Sequence, residues 1–339
     1  MHVRKPIRTL IIGFGMISIG YSRDPKMKKY FQVATHYDAI MENENYSLIG
    51  VVDPSDRAKL QASHVNSSMP IYKNIELVPN KEDVDLIVLA TPPNQRLGII
   101  DHFPNLHSVI VEKPIGNDLI SSEEFVKSCE VRSIFLYVNI SRKYDQKLLE
   151  YKNGFEKQLG NIQGIFCTYG NGLKNNGFHL IDLITMFAGK VSWVQALHVG
   201  KSGSRKSQPV DSSFPFILGL SSGVCAMVQA LDYAHYREMS MEIWGEKSKI
   251  LFCLEGLLSV TVAREKHRFS EGNSELAFDK PLVQITGQGI AMRNLYKVVS
   301  DNYHSGFYDG SSVSNALHVM SVIECLNGSL TRKCEKVWV

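Results

Sequence analysis

The sequence has few features of a metal-binding, disulfide-stabilised or membrane protein. Its six cysteines lie far apart without a C-x-x-C pair, so neither a zinc site nor a disulfide framework is predicted, and a reducing cytosol fits. No apolar run approaches the roughly 20 residues that span a bilayer. The basic start of the chain is not predicted to be a signal peptide, because its apolar run breaks at Gly13. We therefore expect a cytoplasmic globular protein with no metal.

An excess of charge of one sign is also absent. Lys and Arg total 37 against 34 for Asp and Glu, a net charge of +3 that is scattered along the chain. This balance predicts neither a nucleic-acid nor a membrane partner and favours a small molecule. At 339 residues the chain exceeds the size of one usual core, which predicts two domains. We place them at residues 1–140 and 141–339.

Short apolar runs alternate with helical segments in the first 140 residues. The runs at 7–12, 47–52, 84–90 and 108–111, and one ending near Asn139, have the length and composition of buried strands. The segment "SSEEFVKSCE" is typical of a helix, and "PPNQRLGIIDHFPNL" is predicted to contain a crossover helix. This alternation predicts a doubly wound parallel sheet of the Rossmann type.

A glycine-rich turn follows the first predicted strand. Gly13 lets the chain reverse tightly, and Gly15 lets the backbone approach a pyrophosphate at the start of a helix or turn. Ser18 stands where the third glycine of G-x-G-x-x-G would be, and alone this signal is weak. The predicted cofactor-binding residues of the turn are Gly13, Phe14, Gly15, Met16 and Ile17.

Asp53 closes the second predicted strand. Its carboxylate is suited to accept hydrogen bonds from the ribose hydroxyls of NAD, although a turn former before Pro54 is the alternative. Asp53 follows Gly15 by more than the usual spacing of about 20 residues, and "YSRDPKMKKYFQVATH" is interpreted as an extension of the loop or first helix. NAD is favoured, and NADP stays possible because Arg57 is near in sequence.

Functional side chains should meet where the parallel strands end. Lys113 directly follows a buried strand in the step "EKP", where its ammonium would stabilise a developing alkoxide; a solvated surface lysine is the alternative. The further residues predicted at this edge are Thr91, Pro92, Glu112 and Asn139.

The stretch "NNGFHLID" places His179 on the first turns of an apolar helix. A neutral histidine can accept the proton of an alcohol at physiological pH, whereas the alternative is a helix-start histidine bonded to the backbone. Asn175 and Asn176 precede it as possible hydrogen-bonding groups for a substrate. Asp182 lies three residues on, where it steadies the ring or serves the helix. A metal site of His179 and Asp182 is rejected because no third ligand is readable.

From residue 191 onward, the pattern indicates strands joined by turns at "SSG" and "GEKS", as in an antiparallel sheet. Two late helices, about 288–302 and 311–326, pack on one face of this sheet or reach back to the first domain. The other face of the sheet is apolar and needs to be covered, which favours a homodimer or homotetramer. The basic stretch 200–210 could contact a diphosphate of a nucleotide sugar, and a solvated loop is the alternative. The candidate sugar-binding residues at a strand end are Tyr233, His235 and Tyr236, and a strand-edge cluster without a site role is the alternative.

The motifs "GFGMIS", "VVDPSDRA", "LATPPNQR", "VEKPIG" and "GLKNNGFHLIDL" occur in this order, and with them the chain resembles the glucose-fructose oxidoreductase and inositol 2-dehydrogenase family (Gfo/Idh/MocA). The resemblance implies a Rossmann domain and a C-terminal α+β domain with a mostly antiparallel open sheet. It implies NAD or NADP redox chemistry at a secondary alcohol of a sugar, polyol or nucleotide sugar. By this resemblance Lys113 and His179 fall on active-site residues, and Asn175 falls where members usually carry an aspartate.

These observations predict an enzyme that transfers a hydride between NAD(P) and a secondary alcohol of a sugar, such as a nucleotide-linked or polysaccharide-precursor sugar. His179 would accept the proton and Lys113 would stabilise the alkoxide, while Asn175 would supply a hydrogen bond but no charge. One alternative is a catalytically decayed NAD-binding or scaffold protein. Another is a reductase of a small non-sugar carbonyl.

Overall fold

The computed structural model describes residues 5–66, 68–197, 211–277 and 279–339. Packing divides the chain into two compact units, Met1–Asp145 with Gln288–Leu317, and Gln146–Gly287 with His318–Val339. The predicted division at residue 140 differs from this one, because a late segment of the chain returns to the first unit. The basic stretch 200–210 lies outside the described residues.

Strands and helices alternate along the first half of the chain, and strands dominate the second half until two long helices near its end. The strands are β1 Ile7–Ile12, β2 Tyr46–Val52, β3 Ile71–Tyr72, β4 Leu86–Leu89, β5 Ser108–Glu112, β6 Phe135–Asn139, β7 Ile162–Tyr169, β8 Val191–Ala196, β9 Phe216–Leu220, β10 Cys225–Ala230, β11 Ser240–Gly245, β12 Ser248–Cys253, β13 Leu258–Lys266, β14 Ser274–Leu276, β15 Leu282–Ile285 and β16 Val337–Trp338. The α-helices are α1 Pro25–Tyr30, α2 His36–Met41, α3 Asp56–Val65, α4 Leu119–Val131, α5 Gln146–Leu159, α6 Phe178–Ala188, α7 Ala291–Ser305 and α8 Ser311–Thr331. Short 3₁₀ segments span Gly20–Arg23, Ile75–Leu77, Lys81–Asp83, Pro93–Gln95, Ile99–His102, Ser141–Tyr144 and Gln288–Ile290, and a π-helical turn spans Gly172–Gly177.

The first unit contains a parallel sheet with the strand order β3-β2-β1-β4-β5-β6. Its central strands are nearly continuous apolar runs, and every residue of β4 is buried, as expected where helices cover both faces of a parallel sheet. The strand order reverses between β1 and β4, and ligands of such sheets bind at the carboxyl ends of the strands beside this reversal. The predicted Rossmann fold is confirmed.

The predicted crossover helix between β4 and β5 is wrong in detail. The segment instead forms the two 3₁₀ turns Pro93–Gln95 and Ile99–His102. Gly98 between them has a φ of 81°, in the left-handed region that ends a helix. Paired prolines at its start and Pro104 at its end also remove backbone donors that a longer helix would need.

The late helix α7 belongs to the core of the first unit. Its residues Met292, Leu295, Tyr296 and Val299 are buried in the same apolar cluster as β1 and β2. The hydroxyl of Tyr46 on β2 also donates to the backbone carbonyl of Tyr296 at 2.5 Å. Of the two placements predicted for the late helices, α7 therefore takes the return to the first domain.

The second unit is built on a mostly antiparallel sheet in the order β14-β13-β12-β11-β7-β10-β9-β8-β16, with β15 paired to β13. The predicted hairpins at "SSG" and "GEKS" join β9 to β10 and β11 to β12. Only the β7–β10 pair within it is parallel among the described strands. The predicted α+β class of the second half is confirmed. No helix in the described ranges has the length and apolar content to cross a membrane.

Candidate active site

The glycine turn after β1 is shaped by close backbone contact on one side and open space on the other. Gly13 has a φ of 92°, and a Cβ placed there would lie 2.8 Å from the backbone carbonyl of Ala90. A Cβ at Gly15 would meet no atom within 4 Å. One helical turn follows, in which the N–H of Ile19 donates to the Gly15 carbonyl at 3.1 Å. Gly13 is thus required by packing, whereas Gly15 leaves room for a ligand against the backbone.

Asp53 ties the end of β2 to this turn. Its Oδ2 accepts from the Phe14 N–H at 2.7 Å, and its Oδ1 accepts from the N–H and hydroxyl of Ser55 at 2.9 and 2.6 Å. The Ser55 bonds are those of a turn former, and the Phe14 bond anchors the glycine turn. These contacts support the turn-former interpretation of Asp53. The ribose role stays a prediction, for which its oxygens retain further acceptor sites.

A cavity of about 480 Å³ lies in the first unit at the carboxyl ends of its strands. Five of the predicted site residues line it, namely Gly13, Gly15, Asp53, Thr91 and Pro92. Asn74, Ile75 and Glu76, which follow β3 and were not predicted, also line it. The Thr91 hydroxyl is buried and has no hydrogen-bond partner among the described residues. An unpaired hydroxyl, an acceptor carboxylate and a bare glycine backbone fit the ribose and pyrophosphate of a dinucleotide.

The other predicted residues of the turn play different parts. The Phe14 side chain is buried in the core, 1% exposed, and meets Tyr37 edge-on. Ile17 also packs against the core. Met16 is 41% exposed, and its sulfur lies 3.8 Å from the Arg57 guanidinium. The Phe14 and Ile17 side chains therefore serve the core, whereas that of Met16 is accessible at the surface.

Glu112, at the end of β5, belongs to a buried polar chain. Its Oε1 accepts from His36 Nε2 at 2.9 Å and from Asn139 Nδ2 at 2.5 Å, and His36 Nδ1 lies 2.9 Å from the Tyr296 hydroxyl. Burial alone would raise the pKa of Glu112, but the hydrogen bond and charge of His36, the Asn139 bond and the Lys113 charge lower it below the ordinary value. The carboxylate beside Lys113 is therefore held ionised.

Arg96 fixes the two loops that end β4 and β5. Its buried guanidinium donates to the carbonyl of Thr91 at 2.6 Å and to that of Glu112 at 2.5 Å, and also to those of Pro114 and Ile115. Desolvation lowers the pKa of Arg96 to about 10. Lys113, partly buried and followed by a cis bond to Pro114, lies within the loop that this fork holds.

His179 is the second residue of α6, as the sequence predicts for a helix start. The π-helical turn Gly172–Gly177 leads directly into this helix and carries Asn175 and Asn176. His179 and both asparagines are partly buried, and Asp182 on the next turn is 2% exposed. The role of Asp182 toward the imidazole stays a prediction.

Tyr233 lies beside this segment. Its hydroxyl donates to Glu255 Oε1 at 2.9 Å and lies near the Asn176 side chain. The Tyr233 ring also lies against Gly170, where an added Cβ would be 3.2 Å from it. The side chain of His235 is 75% exposed and Tyr236 is 66% exposed. Of the three predicted sugar-binding residues, the structure therefore connects Tyr233 to the segment of His179.

Sequence reasoning assigned no role to His36, Arg96 and Tyr296, although Arg96 stands in the motif "LATPPNQR". They meet the motif residues only through folding, because Tyr296 is 260 positions from His36. No group of three or more metal-binding side chains occurs in the described part of the chain.

Comparison with known families identifies the two halves. Residues 7–140 match the Gfo/Idh/MocA model described as "Oxidoreductase family, NAD-binding Rossmann fold", and residues 164–251 match the Gfo/Idh/MocA C-terminal domain. The chain belongs to this family of NAD-binding oxidoreductases. The predicted family and the predicted nicotinamide cofactor are thereby confirmed. No curated protein matches the chain.

Solved structures with the same fold include enzymes and a regulator. The WlbA dehydrogenase from Bordetella pertussis, in complex with NADH and UDP-GlcNAcA, has 18% identity, a TM-score of 0.71 and coverage of 99% of both chains. The 3-ketoreductase KijD10 from Actinomadura kijaniata, with TDP-benzene and NADP, has 14% identity, a TM-score of 0.69 and coverage of 95% of this chain and 97% of that one. The transcriptional regulator Gal80p from Kluyveromyces lactis has 13% identity, a TM-score of 0.72 and coverage of 98% and 94%. At these identities the likeness shows the fold alone.

Proposed function

We propose that this chain is an NAD-dependent dehydrogenase that acts on a secondary alcohol of a sugar, with a nucleotide-linked or polysaccharide-precursor sugar as substrate. The observation that carries the proposal is the position of Lys113. It directly follows β5 at the edge of the parallel sheet where the cavity of Asp53 and Thr91 lies. A cation held there by the Arg96 and Glu112 contacts is suited to stabilise negative charge on a reacting oxygen.

Each side chain has a separate task in this proposal. The bound cofactor accepts or returns the hydride. His179 takes the proton of the substrate hydroxyl, and Lys113 stabilises the alkoxide as the proton leaves. Asn175 and Asn176 hydrogen-bond to neighbouring hydroxyls of the sugar and so orient the reacting carbon.

The polar surroundings of Asn176 support a sugar as substrate. Tyr233 presents an aromatic ring and a hydroxyl that donates to Glu255 and lies near Asn176. Burial, followed by the charge of Glu255, raises the pKa of Tyr233, so its hydroxyl stays a neutral donor and acceptor. WlbA and KijD10, which share the fold, were crystallised with a uridine and a thymidine diphosphate ligand, respectively. A nucleotide-linked sugar is the substrate class that fits both observations.

The acidic lining of the cavity favours NAD over NADP. Asp53 and Glu76 both line it, and a 2′-phosphate placed near them would face two negative charges. Arg57 contacts Met16 at the surface of the turn and would be the nearest candidate to offset them. We expect tighter binding of NAD than of NADP.

Two catalytic variants with matched controls test the proposal. Lys113→Met and His179→Gln should each lower turnover of the responsive sugar by at least about 100-fold while NAD affinity changes little. The exposed Lys127 and His102 offer the same substitutions elsewhere in the chain and should leave turnover near that of the parent. Turnover near the parental value in both Lys113→Met and His179→Gln would show that neither residue takes part in the reaction.

A catalytically inactive NAD-binding regulator is the second candidate. The observation in its favour is that Gal80p, a transcriptional regulator, has the same fold over nearly its whole chain. A protein of this kind would bind NAD but turn over no member of a broad panel of sugars, polyols and nucleotide sugars. Turnover of a small non-sugar carbonyl alone would instead support a reductase of that class.

The exposed face of the second sheet supports a homodimer or homotetramer. Phe166 and Met227 are 48% and 50% exposed on adjacent strands β7 and β10. A contiguous apolar surface on an otherwise soluble domain is typical of a subunit interface. Sedimentation of the parent and of Phe166→Glu should show the parent as the larger species.

We place the protein in the cytoplasm, where its six thiols, which form no disulfide, would remain reduced.

A further inference from the structure

One short segment caps the whole first turn of the helix that leads to His179. Four consecutive backbone N–H groups, from residue 172 to residue 175, each donate to the segment 211–213. Gly172 donates to Ser213 Oγ at 2.8 Å and Leu173 to the Ser212 carbonyl at 3.3 Å. Lys174 and Asn175 donate to the two carboxylate oxygens of Asp211 at 2.8 and 3.0 Å. A helix start leaves these groups unpaired, so the segment satisfies all of them at once.

The capping segment is itself held in place. The Tyr169 hydroxyl donates to the Phe214 carbonyl at 2.9 Å, and the Phe214 N–H lies 3.0 Å from the same hydroxyl. Gly172 has a φ of 94°, and a Cβ there would lie 2.1 Å from Asp211 Oδ2. Any side chain at position 172 would therefore clash with the Asp211 carboxylate, so this close contact requires glycine at that position.

The charge of Asp211 therefore sits directly on position 175. Its Oδ2 is 3.0 Å from the Asn175 nitrogen, so the carboxyl carbon of an aspartate at position 175 would lie within about 7 Å of it by covalent geometry. Two carboxylates at this spacing repel each other. A neutral residue at 175 and a charged one at 211 are consistent with a single negative charge for the pair.

We propose that Asp211 is a positioning residue of the proposed site. Its carboxylate fixes the backbone of Lys174 and Asn175, and through it the direction of the Asn175 and Asn176 side chains. It also places a negative charge against the turn that precedes His179. The inference rests on the proposed function, because the side chains that it orients are those assigned to substrate binding.

A double-mutant cycle tests the shared charge. Asn175→Asp adds a second carboxylate and Asp211→Asn removes the first, and each alone should lower kcat/KM by about 10-fold. Combined, they restore a single charge to the pair while one of the two capping bonds stays lost, so the double variant should lose no more than either single variant, about 10-fold. Losses that multiply to about 100-fold in the double variant would overturn the proposal.

Two further variants test the capping itself. Asparagine keeps one acceptor oxygen for the N–H groups of residues 174 and 175, whereas alanine keeps none. Asp211→Ala should therefore raise KM for the sugar and lower kcat beyond the effect of Asp211→Asn, with the KM for NAD unchanged in both. Asp118 caps α4 in the first unit, so Asp118→Ala removes a comparable cap away from the site. An equal loss of turnover in Asp118→Ala would mean that the effect is one of stability only.

Hydrogen exchange distinguishes failure of this inference from failure of the proposed function. Amide exchange at 172–175 should be fastest in Asp211→Ala, and Asn175→Asp should lower thermal stability in a way that Asp211→Asn relieves. Neither measurement needs a substrate. A parent protein with no turnover but this exchange and stability pattern would refute the proposed function and keep the Asp211 coupling. Normal turnover without the pattern would refute the coupling alone.

Discussion

Replacing His36 by alanine removes the centre of the buried polar chain beside Lys113. His36 is 0% exposed, and both of its ring nitrogens are bonded, Nε2 to Glu112 and Nδ1 to Tyr296. Because an ionised carboxylate only accepts hydrogen bonds, Nε2 is the donor to Glu112. The alanine variant therefore leaves a buried carboxylate with one fewer donor and a buried tyrosine hydroxyl without its partner.

The expected cost follows from the loss of a buried, charge-assisted contact. A hydrogen bond to a charged group contributes about 1.5–3 kcal/mol, and a buried hydroxyl left without a partner costs about 1–3 kcal/mol, so we expect a loss of about 4 kcal/mol in the free energy of unfolding. For a unit of this size each kcal/mol lowers Tm by about 2–4 °C, which predicts a fall of about 8–16 °C. Glu112→Gln should cost less, because the amide oxygen can still accept from His36.

Calorimetry of the full chain, with urea unfolding as a second measurement, checks this expectation. His102 is exposed, and His102→Ala should change the free energy of unfolding by less than about 0.5 kcal/mol. A cycle of His36→Ala, Glu112→Gln and the double variant should give a coupling of at least about 1 kcal/mol. A His36→Ala variant as stable as His102→Ala would refute the reasoning.

Four further results are expected. Gly15→Ala should fold with nearly unchanged Tm, because its Cβ meets open space, but it should bind NAD at least about 10-fold more weakly by calorimetry, because a pyrophosphate would lie in that space. Gly13→Ala should instead lose about 3 kcal/mol in the free energy of unfolding, because its Cβ would clash with the Ala90 carbonyl. Arg96→Lys should lower Tm and weaken NAD binding together, since an ammonium cannot bond four carbonyls as the guanidinium fork does. Asp53→Ser should narrow the preference for NAD over NADP in paired binding titrations. Because the pKa of Glu112 is lower in the folded state, its carboxylate stabilises the fold above the unfolded pKa of about 4.3. This stabilisation is lost as pH falls through the folded pKa. The difference in the free energy of unfolding between the parent and Glu112→Gln should therefore shrink below about pH 4.

The strands of the first unit could be predicted because burial on both faces leaves a strong local signal. The runs that became β1 and β6 end where the sequence indicates, and the hairpins of the second unit follow from their turn residues. The segment between β4 and β5 could not be predicted in this way. Its apolar residues resemble a helix, but the φ of 81° at Gly98 and the flanking prolines restrict it to 3₁₀ turns.

The candidate site could be predicted only as far as local motifs reach. Gly13, Gly15 and Asp53 belong to short patterns, and the structure brings them to one cavity. His36 and Asp211 act through contacts with residues far away in sequence, and no spacing along the chain encodes such contacts. Arg96 is nearer to its partners in sequence, but its bonds to the loop after β5 depend on the pairing of β4 with β5. Asp211, for example, bonds to Lys174 across 37 positions.

The central claim is that Lys113 and His179 perform hydride-transfer chemistry on a sugar with NAD. The most direct measurement is a single-turnover assay of NADH formation with the parent, Lys113→Met and His179→Gln, using a panel of nucleotide sugars and measuring NAD binding on the same samples. The account predicts NADH formation by the parent alone, with NAD bound by all three proteins. NADH formation by either variant at the parental rate, or by none of the proteins despite bound NAD, would contradict it.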